Sequence, residues 1–167
     1  MRIALLATLL LCAPRALATP PLVGLEARLG GGAAFGGGAG GSTWRLAPVQ
    51  LDIQAEVALS RQPSLSLYGA GRIEGVDRIG GALGLGFRLR PLTGPLRFSI
   101  GALAYVAPYT LLGANVAAGA CLAVGKAVKI RLCADLETTL FFAGSDLPSN
   151  RVAGQFLVLT GVGFDAL

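Results

Sequence analysis

From Val49 to Leu59 the chain alternates. Val49, Leu51, Ile53, Ala55, Val57 and Leu59 stand between Gln50, Asp52, Gln54, Glu56 and Ala58, so every charge falls on one parity. Successive side chains of a strand point to opposite faces, and a period of two predicts a strand with one apolar and one polar face. Val128 to Leu140 obeys the same rule. Val128, Ile130, Leu132, Ala134, Leu136, Thr138 and Leu140 oppose Lys129, Arg131, Cys133, Asp135, Glu137 and Thr139.

Six further segments read in this register. A first strand near Leu22 to Phe35 sets Leu25, Ala27 and Leu29 against Glu26 and Arg28, and the Val49 segment, extended back toward Trp44, is the second. The third, Ser64 to Ile73, places Leu65 and Leu67 opposite Ser64, Ser66, Tyr68 and Arg72. The fourth, Ile79 to Arg90, places Leu83, Leu85, Phe87 and Leu89 opposite Gly84, Gly86, Arg88 and Arg90. The fifth, Leu96 to Ala107, alternates Leu96, Phe98, Ile100, Ala102 and Ala104 with Arg97, Ser99, Gly101, Leu103 and Tyr105. The sixth is Leu112 to Val124, the Val128 segment is the seventh, and Arg151 to Phe164 is the eighth.

About eight antiparallel strands of this kind predict a closed up-and-down β-barrel, for which an even strand count is required. Ten residues at about 3.3 Å each, tilted by about 40°, rise about 25 Å, the height of the apolar band of a membrane barrel. The breaks alternate in character. Ser60 to Pro63, Pro91 to Pro95 and Gly125 to Ala127 read as short turns at one end. Gly36 to Thr43, Glu74 to Arg78, Pro108 to Leu111 and Gly144 to Asn150 read as longer loops at the other.

In such a barrel the charged parity faces the lumen. Glu26, Asp52, Glu56, Asp135 and Glu137 would share it with Arg28, Arg72, Arg88, Arg90, Lys129 and Arg131. About eight strands leave an interior just wide enough for side chains, so a plug of ion pairs is expected in place of a pore. Arg45 falls on the outward parity. With Trp44, Tyr105 and Tyr109 it is expected to anchor the barrel at the membrane surface.

Two rival architectures fit parts of the pattern. Phe98 to Val124 carries no charge and is long enough for a transmembrane helix, although Pro108 splits it and no other segment supports a helical period. A soluble periplasmic barrel or sandwich would turn the apolar face inward and the charges outward. Alternation by itself does not choose between inside and outside.

Composition favours lipid. The chain is 53% hydrophobic and only 14% charged, where soluble domains are closer to a quarter charged. Met1 and Arg2, the apolar run Ile3 to Ala13, and Ala16, Leu17, Ala18 read as a secretory signal spanning residues 1–18, cleaved after Ala18. The apolar run is well short of the roughly 20 residues that span a bilayer as a helix. Cys12 follows Leu11 and so does not read as a lipidation site. Residues 19–167 then form a single domain. Loss of Arg2 and Arg15 takes the formal charge from +5 to +3, too small and too dispersed to suggest a nucleic-acid partner.

Cys121 and Cys133 flank the short Gly125 to Ala127 turn. Antiparallel partners have a constant index sum, and this pair centres the hairpin on Ala127, making the two residues direct neighbours on the lumen face. A disulfide is expected there, with Cα atoms about 4.5 to 5.5 Å apart. The chain has no His, which removes the usual general base and leaves no cysteine–histidine metal cluster. Neither a cofactor nor a metal is expected. Asp135 and Glu137 could form an acid–base pair, but their opposite-charge neighbours favour a structural role. The Gly30 to Gly41 and Gly80 to Gly86 runs lack the Lys-Ser/Thr ending of a phosphate loop.

Across the mature length, the eight amphipathic segments resemble the OmpA/OmpX type of small bacterial outer-membrane barrel. The resemblance implies a Gram-negative outer-membrane location, contact with membrane lipids and dependence on the barrel-insertion machinery. Members commonly end in an aromatic residue, whereas here Phe164 is followed by Asp165, Ala166 and Leu167. A structural or surface-interaction role is the first reading, and the absence of His counts against a lipid-modifying enzyme. A narrow channel or hydrophobic-solute conduit is the alternative.

Overall fold

The computed structural model describes residues 23–38, 41–61, 64–75, 79–91, 94–124, 130–147 and 152–166. Among them run eight strands: β1 (Val23–Gly38), β2 (Gly41–Arg61), β3 (Ser64–Glu74), β4 (Gly80–Arg90), β5 (Leu96–Ala107), β6 (Leu111–Val124), β7 (Ile130–Ala143) and β8 (Val152–Ala166). Each pairs antiparallel with the next, and β8 closes on β1 from Val23↔Ala166 to Gly37↔Val152, giving a closed barrel. The expected signal at residues 1–18, with Cys12, lies outside the described residues.

The barrel settles which parity is inside. Leu25, Ile53, Leu83, Phe98, Val116, Leu136 and Val158 are exposed on the outer wall, while Glu26, Arg28, Asp52, Arg88, Asp135 and Glu137 are buried within. The uncharged stretch from Phe98 to Val124 forms β5 and β6. No described helix is long and apolar enough to cross a membrane.

Gly38, Gly41, Glu74, Gly80, Ala107, Leu111, Ala143 and Val152 end their strands at one end of the barrel; Arg61, Ser64, Arg90, Leu96, Val124 and Ile130 end theirs at the other, beside Val23 and Ala166. The long loop expected at Gly36 to Thr43 is absent. The β1–β2 ladder runs on to Gly38↔Gly41, with Gly41 at φ 107°. Ladder hydrogen bonds are made by backbone alone, so a glycine run continues the hairpin, and the positive φ at Gly41 is one that glycine adopts without steric cost. β1 is held on its other side by β8 as far as Gly37.

Within that hairpin the register shifts. Gly30 faces Gln50 but Gly32 faces Ala47, so β2 carries one extra residue around Pro48. Proline has no N–H to give to a ladder, and a bulge is where a strand accommodates it. The extra residue reverses the parity of everything beyond it.

Glycines on the inner face make room for large neighbours. Tyr68 lies across β4 and β5: a Cβ at Gly86 or Gly101 would stand 2.8 or 2.6 Å from its hydroxyl. The Arg88 guanidinium covers its ring at 5.0 Å. Cys121 and Cys133 are direct partners in the β6–β7 ladder and are disulfide-bonded, with Cα atoms 4.1 Å apart.

Candidate functional site

Alternation sends charged side chains of every strand but β6, which contributes Asn115, into the barrel interior, where charge is tolerable only if paired and hydrogen-bonded. The pairing is continuous. Near the end that holds Val23 and Ala166, Glu56 accepts from Arg88 at 2.9 Å, from Arg131 at 3.1 Å and from Arg90, and Arg131 also meets Asp165 at 2.6 Å. At mid-height Arg97 holds Glu26 with a two-pronged contact, 2.6 Å on each side, and donates from Nε to Asp135 at 2.7 Å. Arg28 reaches Asp52 at 2.6 Å, Asp135 at 3.1 Å and Glu137 at 3.3 Å. Arg72 shares two of these carboxylates, Asp52 at 2.8 Å and Glu137 at 2.6 Å. A 3.6 Å contact between Arg88 and Glu26 joins the two groups.

Arg28, Arg72, Arg88, Arg90, Arg97 and Arg131 thus face Glu26, Asp52, Glu56, Asp135, Glu137 and Asp165, charge for charge, among the described residues. Planar guanidinium groups suit this role because each can serve two or three carboxylates in fixed directions. The network blocks the lumen.

The structure places Glu26, Arg28, Asp52, Glu56, Arg72, Arg88, Arg90, Arg131, Asp135 and Glu137 together in this plug. Lys129 lies outside the described residues. Arg97, Asp165 and Gln54, whose Oε1 accepts from Arg88, were not expected in the plug. Arg97 stood on the inward parity of the fifth strand, and that signal was sufficient to find it.

Of the four residues expected at the membrane surface, Trp44 is outward, 69% exposed and stacked at a tilt on Phe35, ring centroids 5.2 Å apart. Arg45 does not join it. The bulge at Pro48 pairs Arg45 with Ala34, which is buried and itself faces Gln155, so Arg45 takes the inner face at the barrel mouth. Tyr105 is likewise no surface anchor. It is 2% exposed inside the barrel, with its hydroxyl donating to Glu74 at 2.7 Å, because odd positions of β5 face the lumen. Tyr109 lies half-buried in connection 108–110 beside the mouth.

Above the plug, a cavity of about 340 Å³ opens at the end where Gly38 pairs with Gly41 and where connection 108–110 lies. Glu74, Tyr105, Phe141 and Gln155 form the buried part of its lining, and Arg45 and Tyr109 line it nearer the rim. Tyr105 and Phe141 meet edge to face at 5.6 Å. Glu74 was expected in a loop. It is the last residue of β3, paired with Gly80, and so points inward.

With this geometry in view, the crystal structure of Neisserial surface protein A (NspA) is similar over 86% of this chain and 97% of that one, with a TM-score of 0.51 and 14% sequence identity. The likeness is one of fold. The fold in this chain is a closed, eight-stranded antiparallel barrel. No family model and no curated protein matches the sequence.

Proposed function

We propose that the chain is an outer-membrane barrel protein with a closed lumen, serving a structural or surface-interaction role through its lipid-facing wall and the end that bears the cavity. The carrying observation is the unbroken run of ion pairs from Asp165 through Arg131, Glu56, Arg88, Glu26, Arg97, Asp135, Arg28 and Asp52 to Arg72. A channel needs a continuous aqueous path, and these side chains occupy it.

The exposed apolar wall supports membrane lipids as the surrounding medium, since a strand barrel satisfies its own backbone and needs only an apolar exterior to reside there. Insertion would fall to the barrel-insertion machinery, with Phe164 outward near the end of β8 as the aromatic signal. A non-enzymatic role is supported by the lack of His and by the arginines that hold Asp135 and Glu137. The test is a planar-bilayer recording of the folded protein. No steady conductance is expected; a stable unitary conductance overturns the closed-lumen reading and favours a narrow channel.

A further inference from the structure

The plug below the cavity is balanced, yet one buried carboxylate stands outside it. Glu74 is 8% exposed and has no cation within ion-pair distance among the described residues. Its Oε2 accepts from the Tyr105 hydroxyl at 2.7 Å and from Gln50 Nε2 at 3.1 Å. Gln50 Nε2 also donates to Gln155 Oε1 at 3.1 Å, and Gln155 Nε2 donates to the Tyr105 oxygen at 3.3 Å. The four side chains therefore spend their donors on one another. Acceptors are left over: Gln50 Oε1 is fully buried with no donor, and Glu74 brings an uncompensated charge. Buried acceptors without donors and a buried charge without a counter-ion are each costly. What the group lacks is a species with several N–H donors and one positive charge.

The cavity beside Glu74 is shaped for the rest of such a species. Its volume of about 340 Å³ falls within the usual range for small-molecule sites. Phe141 and Leu111 supply apolar wall next to the Tyr105 ring. Aromatic faces attract an organic cation as well as its hydrocarbon body. We propose that the mouth of the barrel binds a primary organic ammonium, with the nitrogen at Glu74 and the apolar body along Tyr105, Phe141 and Leu111. Arg45, on the inner face nearer the rim, is the like charge that such a ligand passes.

The single Trp of the chain, Trp44, points outward, so binding is read by isothermal titration calorimetry, which needs no chromophore inside the cavity. The full chain, folded in neutral detergent, is titrated with benzylammonium chloride and in parallel with benzyl alcohol, which has the same ring and no charge. A saturable heat of binding with the ammonium and none with the alcohol is expected. Glu74→Gln should weaken binding by about tenfold or more, the worth of a charge-assisted hydrogen bond, and Arg45→Met should tighten it. Folding of each variant is checked by its heat-modifiable gel migration. If Glu74→Gln does not fold, Arg45→Met decides: unchanged or weaker binding overturns the proposal. It is equally overturned if the ammonium gives no saturable response, if the alcohol matches it, or if folded Glu74→Gln binds as tightly as the parent.

Discussion

Arg97 on β5 and Asp135 on β7 join across β6 because the residue between them is Gly119, the direct partner of both. With no side chain at that position, the guanidinium crosses a whole strand and donates from Nε to the carboxylate at 2.7 Å. A Cβ at Gly119 would run into Asp135. Gly119→Val should therefore displace the pair and destabilise the barrel by about 1–3 kcal/mol, as overpacking does. Gly71→Val, where a Cβ meets nothing within 4 Å, should cost far less. Urea unfolding of both variants in lipid vesicles makes the comparison.

Arg97 also carries both oxygens of Glu26. Its removal leaves two buried carboxylates short of their partner. Arg97→Met is expected to cost about 3–5 kcal/mol, the usual penalty for breaking one side of a buried ion pair. The triple change Arg97→Met, Glu26→Gln, Asp135→Asn removes the unpaired charge together with the pair and should recover part of that loss. A triple variant no more stable than the single one would show that the network's electrostatics are not what holds this level of the barrel.

The Cys121–Cys133 bond closes a loop with a sequence separation of 12. Mass spectrometry of the exported protein under non-reducing conditions should find neither residue open to alkylation. Two alkylatable cysteines would refute the bridge in the cell. Reduction should lower unfolding stability by no more than about 3 kcal/mol, the chain-entropy value for a loop of this size.

Ile53 faces outward at mid-height of β2, paired with Ala27 and Gly71, and is 57% exposed. If that wall meets lipid, Ile53→Arg places a charge near the bilayer midplane. A loss of about 2–4 kcal/mol is then expected for the protein folded in vesicles. Tolerance within about 0.5 kcal/mol, as for an ordinary surface substitution, would mean that the wall faces water.

Much of this molecule is legible in its period of two. The alternation from Val49 to Leu59 and from Ile130 to Leu140 assigned strands, faces and the company of charges, because side-chain direction in a strand depends only on index parity. The same arithmetic found the disulfide. Parity also contained Arg97, which belonged in the plug by that rule alone.

Three features were decided only when the strands closed. The first is which face is inside, since alternation is symmetric under exchange of the two. The second is Arg45, whose side reverses at a bulge that comes from Pro48 interrupting the ladder with β1, an effect set by the partner strand. The third is Glu74, a loop residue by its polar surroundings in sequence. It becomes the end of β3 through its pairing with Gln50 and Gly80, and thereby a carboxylate at the barrel mouth with no ion-pair partner among the described residues. Local pattern determines direction along a strand, whereas cross-strand register determines what each side chain meets, and register exists only in the assembled sheet.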